Sequence, residues 1–186
     1  MLRSEAQIEI AALHLAFYLA SWGMYRGSSA LLWKDYKIHN DAVRELLDPA
    51  YTHLWNLRFD DIAKDTKIAK DILSLSKKLT RTYRQRIKKV NGKSRRFNAS
   101  DILITKILLG TLGCVPACDQ YFIKGFRKEL SYSLFNERFL CRIFEFYREN
   151  RNEFRTVQDS ISKNSGVKYP IMKLVDMYFW EIGSKS

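Results

Sequence analysis

The sequence has 186 residues, and its 32 lysine and arginine residues against 20 aspartate and glutamate residues give a formal charge of +12. Its 46% apolar and 13% aromatic residues exclude a disordered chain, because so many aromatic side chains would have to remain in water. Only 8 glycines and 3 prolines argue against a β-sandwich or β-barrel, which needs a turn about every 8–12 residues. We therefore expect one domain over residues 1–186, or two lobes that meet near residues 91–97.

The first third of the chain has the apolar spacing of helices. A capping box predicts the start of a first helix, which ends near Gly23, and a loop follows at residues 25–29. A second helix is predicted to reach roughly His39. A third helix follows it, and Pro49 begins the next helical segment. The predicted caps of the first three helices are, in chain order, Ser4 with Gln7, Ser28 or Ser29, and Asn40 with Asp41.

A long amphipathic helix is predicted from Asp60 to Val90. Its apolar positions keep helical spacing for about thirty residues, and Asn91-Gly92 is predicted to end it. The apolar positions are Ile62, Ile68, Ile72, Leu75, Leu79, Tyr83, Ile87 and Val90. The opposite face is rich in lysine and arginine, so we expect that face to be exposed.

The rest of the chain also predicts helices, separated by loops. Asn98 and Asp101 open a short apolar helix at 102–109, and another begins near Cys118 after a loop at 110–117. Asn136 can cap the next helix, and a polar helix spans 152–161. Pro170 opens the last helix, which ends at Gly183. With no clear strand, the prediction is an all-α protein, a compact bundle of roughly eight to ten helices.

The positive charge is concentrated in one segment. Residues 77–96 carry ten basic residues and no acidic one, which leaves 22 basic against 20 acidic residues elsewhere. A basic segment on a nearly neutral protein is typical of binding to a polyanion or to an anionic membrane surface, although a solvated helix face has the same pattern. The nucleic-acid contacts predicted here are Lys77, Arg81, Arg84, Lys88, Lys89, Lys93, Arg95 and Arg96.

Cysteine usage and hydropathy bear on location and on metals. Three cysteines, an odd number, favour a reducing compartment, and the sixteen uncharged residues 10–25 are too few to span a membrane. We therefore expect a cytoplasmic protein. Binding to a membrane surface is not expected either, because the apolar stripe of the basic helix is needed for the core. Cys114 and Cys118 offer only two thiols where a structural zinc site needs four ligands, so no metal or other cofactor is expected.

The segment 98–122 resembles a known family. A helix start at Asn98-Ala99-Ser100-Asp101 is followed by the apolar run 102–109, by Leu112-Gly113 and by Pro116-Ala117-Cys118-Asp119-Gln120-Tyr121-Phe122. This order resembles the core segment of the helix-hairpin-helix DNA glycosylases, in which a hairpin leads into a helix and a turn like Pro-x-Asp opens the next helix. The resemblance implies that Asp119 is the catalytic aspartate.

The family's hairpin has a Gly-x-Gly turn whose N–H groups hold a DNA phosphate, whereas this sequence has Phe97-Asn98-Ala99-Ser100. The Ser100 hydroxyl and the N–H groups of the following helix remain as phosphate contacts. Lys106 is not assigned to the lysine of the bifunctional members, so a monofunctional enzyme is expected. The alternative for Asp119 is that it only caps its helix.

A base pocket is predicted around the loop at residues 25–29, because aromatic side chains there surround an arginine. Its residues are Trp22, Tyr25, Arg26, Trp33 and, near Asp119, Tyr121. The same aromatic residues fit ordinary core packing. The sequence thus predicts a protein that binds double-stranded DNA and hydrolyses the N-glycosidic bond of a flipped base. The alternatives are a non-catalytic nucleic-acid-binding protein, regulatory or for phage defence, and a helical protein–protein adaptor or inhibitor with a basic face.

Overall fold

The structure is a computed structural model that describes residues 4–27, 29–55, 57–59, 66–90, 93–94, 97–130 and 134–185. The predicted all-α class is confirmed. The described residues form eight α-helices: α1 (Glu5–Ser21), α2 (Asn40–Leu46), α3 (Thr66–Arg86), α4 (Asp101–Thr111), α5 (Gln120–Leu130), α6 (Glu137–Glu149), α7 (Arg151–Ser165) and α8 (Ile171–Ser184). Two 3-10 helices (Tyr36–His39 and Pro49–Leu54) and a pair of two-residue strands, β1 (Lys89–Val90) and β2 (Lys93–Ser94), complete them.

Helix α4 lies at the centre of the bundle. All seven residues from Leu103 to Leu109 are buried, including the polar Thr105 and Lys106, and α4 packs against both α1 and α3. Ser100 caps it by accepting a hydrogen bond from the Leu103 N–H at 3.3 Å. A helix with apolar residues on nearly all sides is stable only when other parts of the protein surround it. The other helices therefore pack around α4.

Helices α5 and α8 form the closest helix pair among the described residues. Gly125 and Gly183 lie at their crossing, and a Cβ atom on Gly183 would stand only 2.8 Å from the Gly125 nitrogen. An aromatic cluster of Phe122, Phe126 and Phe179 packs beside this crossing. The two helices therefore approach backbone to backbone, as only glycine permits.

The prediction of a second helix from residue 28 or 29 to His39 is wrong. Residue 28 is outside the described part, and residues 30–33 form turns before the short 3-10 helix begins at Tyr36. The Ser29 hydroxyl donates to the Met24 carbonyl and accepts from the Leu31 N–H at 3.2 Å. Such local side-chain bonds compete with the helical pattern.

Two predicted helix ends also differ. Asn40 is the first residue of α2 rather than its cap, because the preceding 3-10 helix runs directly into α2. Helix α3 ends at Arg86, and Val90 pairs in an antiparallel ladder with Lys93, although no clear strand was predicted. The β-branched Val90 followed by Asn-Gly favours a hairpin over a helix. The predicted helix end at Asn91-Gly92 and the start at Asp60 lie outside the described residues.

The apolar side of the amphipathic helix is placed as predicted. Ile72, Leu75, Leu79 and Tyr83 are fully buried, and Ile87 is buried just after the end of α3. The Asn136 cap of α6 is also present, because its side chain accepts from the Phe139 N–H at 3.0 Å. In the described part of the chain, no helix is both long enough and apolar enough to cross a membrane.

Candidate functional site

A cavity of about 1000 Å³, called the main cavity here, opens between the end of α1, the side of α4, the start of α5 and α8. It brings together five residues that the sequence analysis assigned to the site: Asp119, Trp22, Tyr25, Arg26 and Tyr121. Trp33 lies outside it and is 77% exposed. Residues that are distant in sequence thus converge on one concave, partly aromatic surface.

Asp119 both caps a helix and borders the main cavity. Its Oδ1 atom accepts hydrogen bonds from the N–H groups of Tyr121 and Phe122, each at 3.0 Å, which caps the first turn of α5. Its Oδ2 atom receives no hydrogen bond from the described residues. The capping interpretation is therefore correct, and it uses only one of the two carboxylate oxygens.

Lys106 is a buried cation that the sequence analysis did not assign to the site. Its side chain reaches the main cavity from α4, and the residue is only 6% exposed. Its Nζ atom lies 3.3 Å from the Trp22 carbonyl oxygen and 4.9 Å from the centre of the Trp22 ring. Burial lowers the pKa of this amine, against the opposing influence of Asp119 and Asp176. A lone lysine in the apolar run 102–109 was the signal that could have found it.

Asp176 and Lys173 supply the wall on α8. Asp176 is 2% exposed, and its Oδ2 atom lies 2.9 Å from Lys173 Nζ. Its Oδ1 atom accepts from the Ala117 N–H at 3.0 Å, two residues before Asp119. Burial raises the pKa of the Asp176 carboxyl, whereas the nearby Lys173 opposes that rise. Asp176 therefore ties α8 to the loop that positions Asp119.

Tyr25 contributes to the main cavity from a buried hydrogen-bond chain. Its hydroxyl lies 2.6 Å from His39 Nε2, and His39 Nδ1 lies 2.6 Å from the hydroxyl of Tyr83 on α3. Burial raises the pKa of Tyr25 to about 12 and lowers that of His39 to about 4. A neutral imidazole donates from one nitrogen and accepts at the other, which matches its two hydroxyl partners. The Tyr25 hydroxyl is therefore engaged with His39.

This chain predicts a pH dependence of stability. The unfolded chain binds a proton on His39 below pH 6.5, whereas the folded protein does so only near pH 4. Stability is therefore lost as the pH falls between these values, and at pH 5 we expect a loss of about 2 kcal/mol from this group. The measurement is urea unfolding of wild type and His39→Gln at pH 7 and pH 5, since glutamine does not titrate.

The pH-dependent loss should be about 2 kcal/mol smaller in His39→Gln than in wild type. His53→Gln is the control, because His53 is exposed and lies 2.9 Å from Asp71 on the surface. Equal losses in wild type and in His39→Gln would contradict the assignment of this proton to His39.

The basic segment forms a stripe on α3 and just beyond it. Lys77, Arg81, Arg84 and Lys88 are exposed, and the spacing of the first three, which lie on α3, places them within about 60° of one another around the helix. We call these four residues the basic stripe. Its first three members line a shallow groove of about 440 Å³, and Arg84 donates to the Asn98 side-chain oxygen.

Other cations of the same segment are neutralised. Lys78 Nζ lies 2.8 Å from Asp48 Oδ2, and Arg86 pairs with Asp41 on α2. The segment thus has one side paired with acidic residues and one side, the basic stripe, directed to solvent. The side chains of Lys89 and Lys93, and all of Arg95 and Arg96, lie outside the described part of the structure.

The basic stripe and the main cavity lie on different flanks of α4. Asp101 lines the groove beside the stripe, whereas Ile102 and Lys106 line the main cavity. These positions differ by roughly 100–140° around the helix axis. Ser100 lies at the N-terminus of this helix, where its hydroxyl is used as the cap.

The cysteines do not line the main cavity. Cys114 and Cys118 are buried free thiols, and burial raises the pKa of Cys114 to about 12. Within the described ranges, no group of three or more His, Cys, Asp and Glu side chains is arranged to hold a metal ion. Comparison of the chain with protein-family models, with curated proteins and with solved structures finds no significant match in any of the three.

Proposed function

We propose that this protein binds DNA and hydrolyses the N-glycosidic bond of a base flipped into the main cavity. The observation that carries the proposal is the position of Asp119, which lines a cavity with aromatic walls and whose cap of α5 uses only its Oδ1 atom. The resemblance of segment 98–122 to the helix-hairpin-helix DNA glycosylases supports the same role for this residue.

The chemistry of the bond explains why a carboxylate is needed. Cleavage of an N-glycosidic bond builds positive charge on the deoxyribose, as in other glycoside hydrolyses, and a nearby carboxylate stabilises that charge. The same group can orient or deprotonate the attacking water.

The walls of the main cavity suit a base removed from its stack. A flipped base is held by stacking against aromatic or apolar side chains, and Trp22, Tyr25 and Tyr121 offer ring surfaces. Arg26, Lys106 and Lys173 add donors for base carbonyls or for phosphate oxygens. A volume of about 1000 Å³ is at the upper end for small-molecule sites, so the cavity has room for a base together with its sugar.

The experiment is a base-release assay with the wild-type protein. Duplexes that carry uracil, alkylated, oxidised or bulky modified bases are incubated with the protein, and abasic sites are revealed by strand cleavage in alkali. We expect release from at least one member of the panel. If the folded protein releases no base from any duplex, the glycosylase proposal is wrong.

The basic stripe favours a second candidate, a nucleic-acid-binding protein without catalysis. Removing three of its cations, in the triple variant Lys77→Gln, Arg81→Gln and Arg84→Gln, should reduce the dependence of log affinity on log salt by roughly 2 to 3. Each cation that contacts a phosphate contributes about 0.9 to that slope, because it releases counterions. Fluorescence anisotropy with a labelled duplex at several salt concentrations measures it.

Lys78→Gln is the matched control for the basic stripe. It removes the same charge from the same helix, but Lys78 is already paired with Asp48. We expect it to change the slope by much less than one unit. If Lys78→Gln acts as strongly as a stripe substitution, net charge rather than a defined face determines the binding.

A further inference from the structure

Helix α1 has two apolar faces. Its inner face is buried in the core and consists of Ile8, Ala12, Leu15 and Leu19. Its outer face is also apolar but lies in solvent, since Phe17 is 69% and Ile10 57% exposed. A surface helix of a globular protein normally has a polar outer face. The outer face of α1 therefore has the composition of a surface that a partner covers.

The exposed apolar residues of α1 follow the spacing of a coiled-coil seam. They are separated alternately by four and by three positions, which gives an average period of 3.5 residues. All five lie within α1 and are exposed: Ala6, Ile10, Leu13, Phe17 and Ala20. We call these five residues the outer seam. A period of 3.5 residues keeps a seam directed at a second helix that packs along it.

The positions beside the outer seam carry no lysine or arginine. They are Gln7, His14 and Ser21 on one side and Glu9 and Ala16 on the other. Glu9 is paired with Lys37 at 3.2 Å, so these flanks offer no unpaired cation to a nucleic acid or to an anionic membrane. Two copies of a chain with a charge of +12 repel each other, and this uncharged face lets them approach with little repulsion.

The side chains of the outer seam are arranged symmetrically by size. Alanine stands at both ends, and the large side chains Ile10, Leu13 and Phe17 lie between them. A dimer with two-fold symmetry uses the same surface on both copies, so that surface must complement itself. We propose that α1 packs antiparallel against α1 of a second copy of this chain and forms a dimer with its two-fold axis at Leu13. The alanines of the two copies then meet at each end of the contact.

A pocket on this face suits the antiparallel arrangement. Its volume is about 150 Å³, and besides Phe17 it is lined by Leu13, Ala16, Ala20, Tyr25 and Tyr36. A cavity of this volume holds a group the size of benzene, so an isoleucine side chain fits into it. In the dimer, Ile10 of the second copy lies beside Phe17 and therefore reaches this pocket.

The area of the outer seam suits a dimer of moderate affinity. Its three large side chains expose roughly 300 Å² per copy, which is within the size of apolar patches that mark protein contacts. The alanines, the side chains beside the seam and the pocket wall enlarge the contact toward the roughly 500 Å² per copy that a specific interface needs. We therefore expect the dimer to dissociate in the micromolar range.

The first experiment is sedimentation velocity of the full chain from low to high micromolar concentration. We expect the dimer fraction of wild type to rise with concentration. Phe17→Glu should weaken the association at least about tenfold, because it places an unpaired charge in the contact on both copies. Thermal unfolding of the variant should be nearly unchanged, since Phe17 is exposed in the monomer. Val157→Glu is the control, because Val157 is 48% exposed on α7, and it should change the association less than about twofold.

The second experiment tests the antiparallel arrangement by disulfide formation. Leu13→Cys lies at the two-fold axis, so its two thiols should cross-link under mild oxidation. In Ala6→Cys the two thiols would be about 20 Å apart, so this variant should give no more covalent dimer than wild type, whose own cysteines set the background. A mixture of Ala6→Cys and Ala20→Cys should again give cross-linked dimer.

The dimer is refuted if wild type remains monomeric at high micromolar concentration, or if Val157→Glu weakens the association as much as Phe17→Glu does. The antiparallel arrangement is refuted if Ala6→Cys cross-links to itself as readily as Leu13→Cys, since that result indicates parallel helices. Neither experiment involves DNA or base release, so the outcome is independent of the proposed function.

Discussion

Replacing Asp119 by asparagine is expected to lower the rate of base release by about 100-fold or more, with little change in folding or in DNA affinity. Asparagine keeps the side-chain oxygen that accepts from the N–H groups of Tyr121 and Phe122, so the cap of α5 remains. It removes the negative charge that would stabilise the sugar in the transition state. Single-turnover base release, duplex affinity and thermal unfolding of the two proteins measure the three quantities.

Two further variants separate chemistry from capping. Asp119→Ala removes both the charge and the cap, so it should also lose about 1 kcal/mol of stability. Asp35→Asn repeats the substitution at another capping aspartate, which accepts from the Lys37 N–H at 2.8 Å outside the main cavity. If Asp119→Asn releases bases at the wild-type rate, Asp119 is only a cap and the catalytic assignment falls.

Gly125→Ala is expected to destabilise the protein by about 2–3 kcal/mol, although alanine is the better helix former. Intrinsic preference alone would stabilise an exposed helical position by about 1 kcal/mol. Here the new Cβ atom would overlap the Phe179 carbonyl and stand 3.0 Å from the Gly183 nitrogen. Because these are backbone atoms, the helices must move apart, and that cost exceeds the gain in propensity. Urea unfolding gives the difference in free energy.

Lys128→Ala, at an exposed position of the same helix, is the control and should lie within about 0.5 kcal/mol of wild type. Gly183→Ala should resemble Gly125→Ala, because a Cβ atom there meets the Tyr121 carbonyl. The double variant should cost less than the sum, since one separation of the helices relieves both overlaps. A stabilised Gly125→Ala protein would show that the crossing is looser than described.

The sequence predicts the helical elements well where apolar spacing or a cap is local. The buried face of α3 and the caps at Ser4 and Asn136 depend on residues within a few positions of each other. The segment around Ser29 is mispredicted because side-chain bonds there replace helical ones. Local patterns show where helices are possible, whereas such competing bonds appear only in three dimensions.

The residues of the main cavity also fall into two groups, those that the local sequence indicates and those that only the packing of the helices brings in. Asp119 and Tyr121 are close in sequence, and Trp22 stands in an aromatic-rich loop, so both groups could be assigned as candidates. Their meeting depends on how α1 packs against α4, which carries Lys106, and on how α8, which carries Asp176, packs against α5. That pairing cannot be derived from a single sequence. An isolated charge in an apolar run, as at Lys106, is the local signal of a special environment.

The glycine crossing of α5 and α8 also determines which side of the main cavity can adjust to its occupant. Helices locked backbone to backbone move as one body, so Asp119, which caps the start of α5, and Asp176 on α8 are expected to keep a constant separation. The opposite side is the turn at residues 22–27, whose Gly23 and Gly27 both have a positive φ. We therefore expect any adjustment of this cavity to a ligand to occur in the turn, which carries Trp22, while the two carboxylates keep their positions.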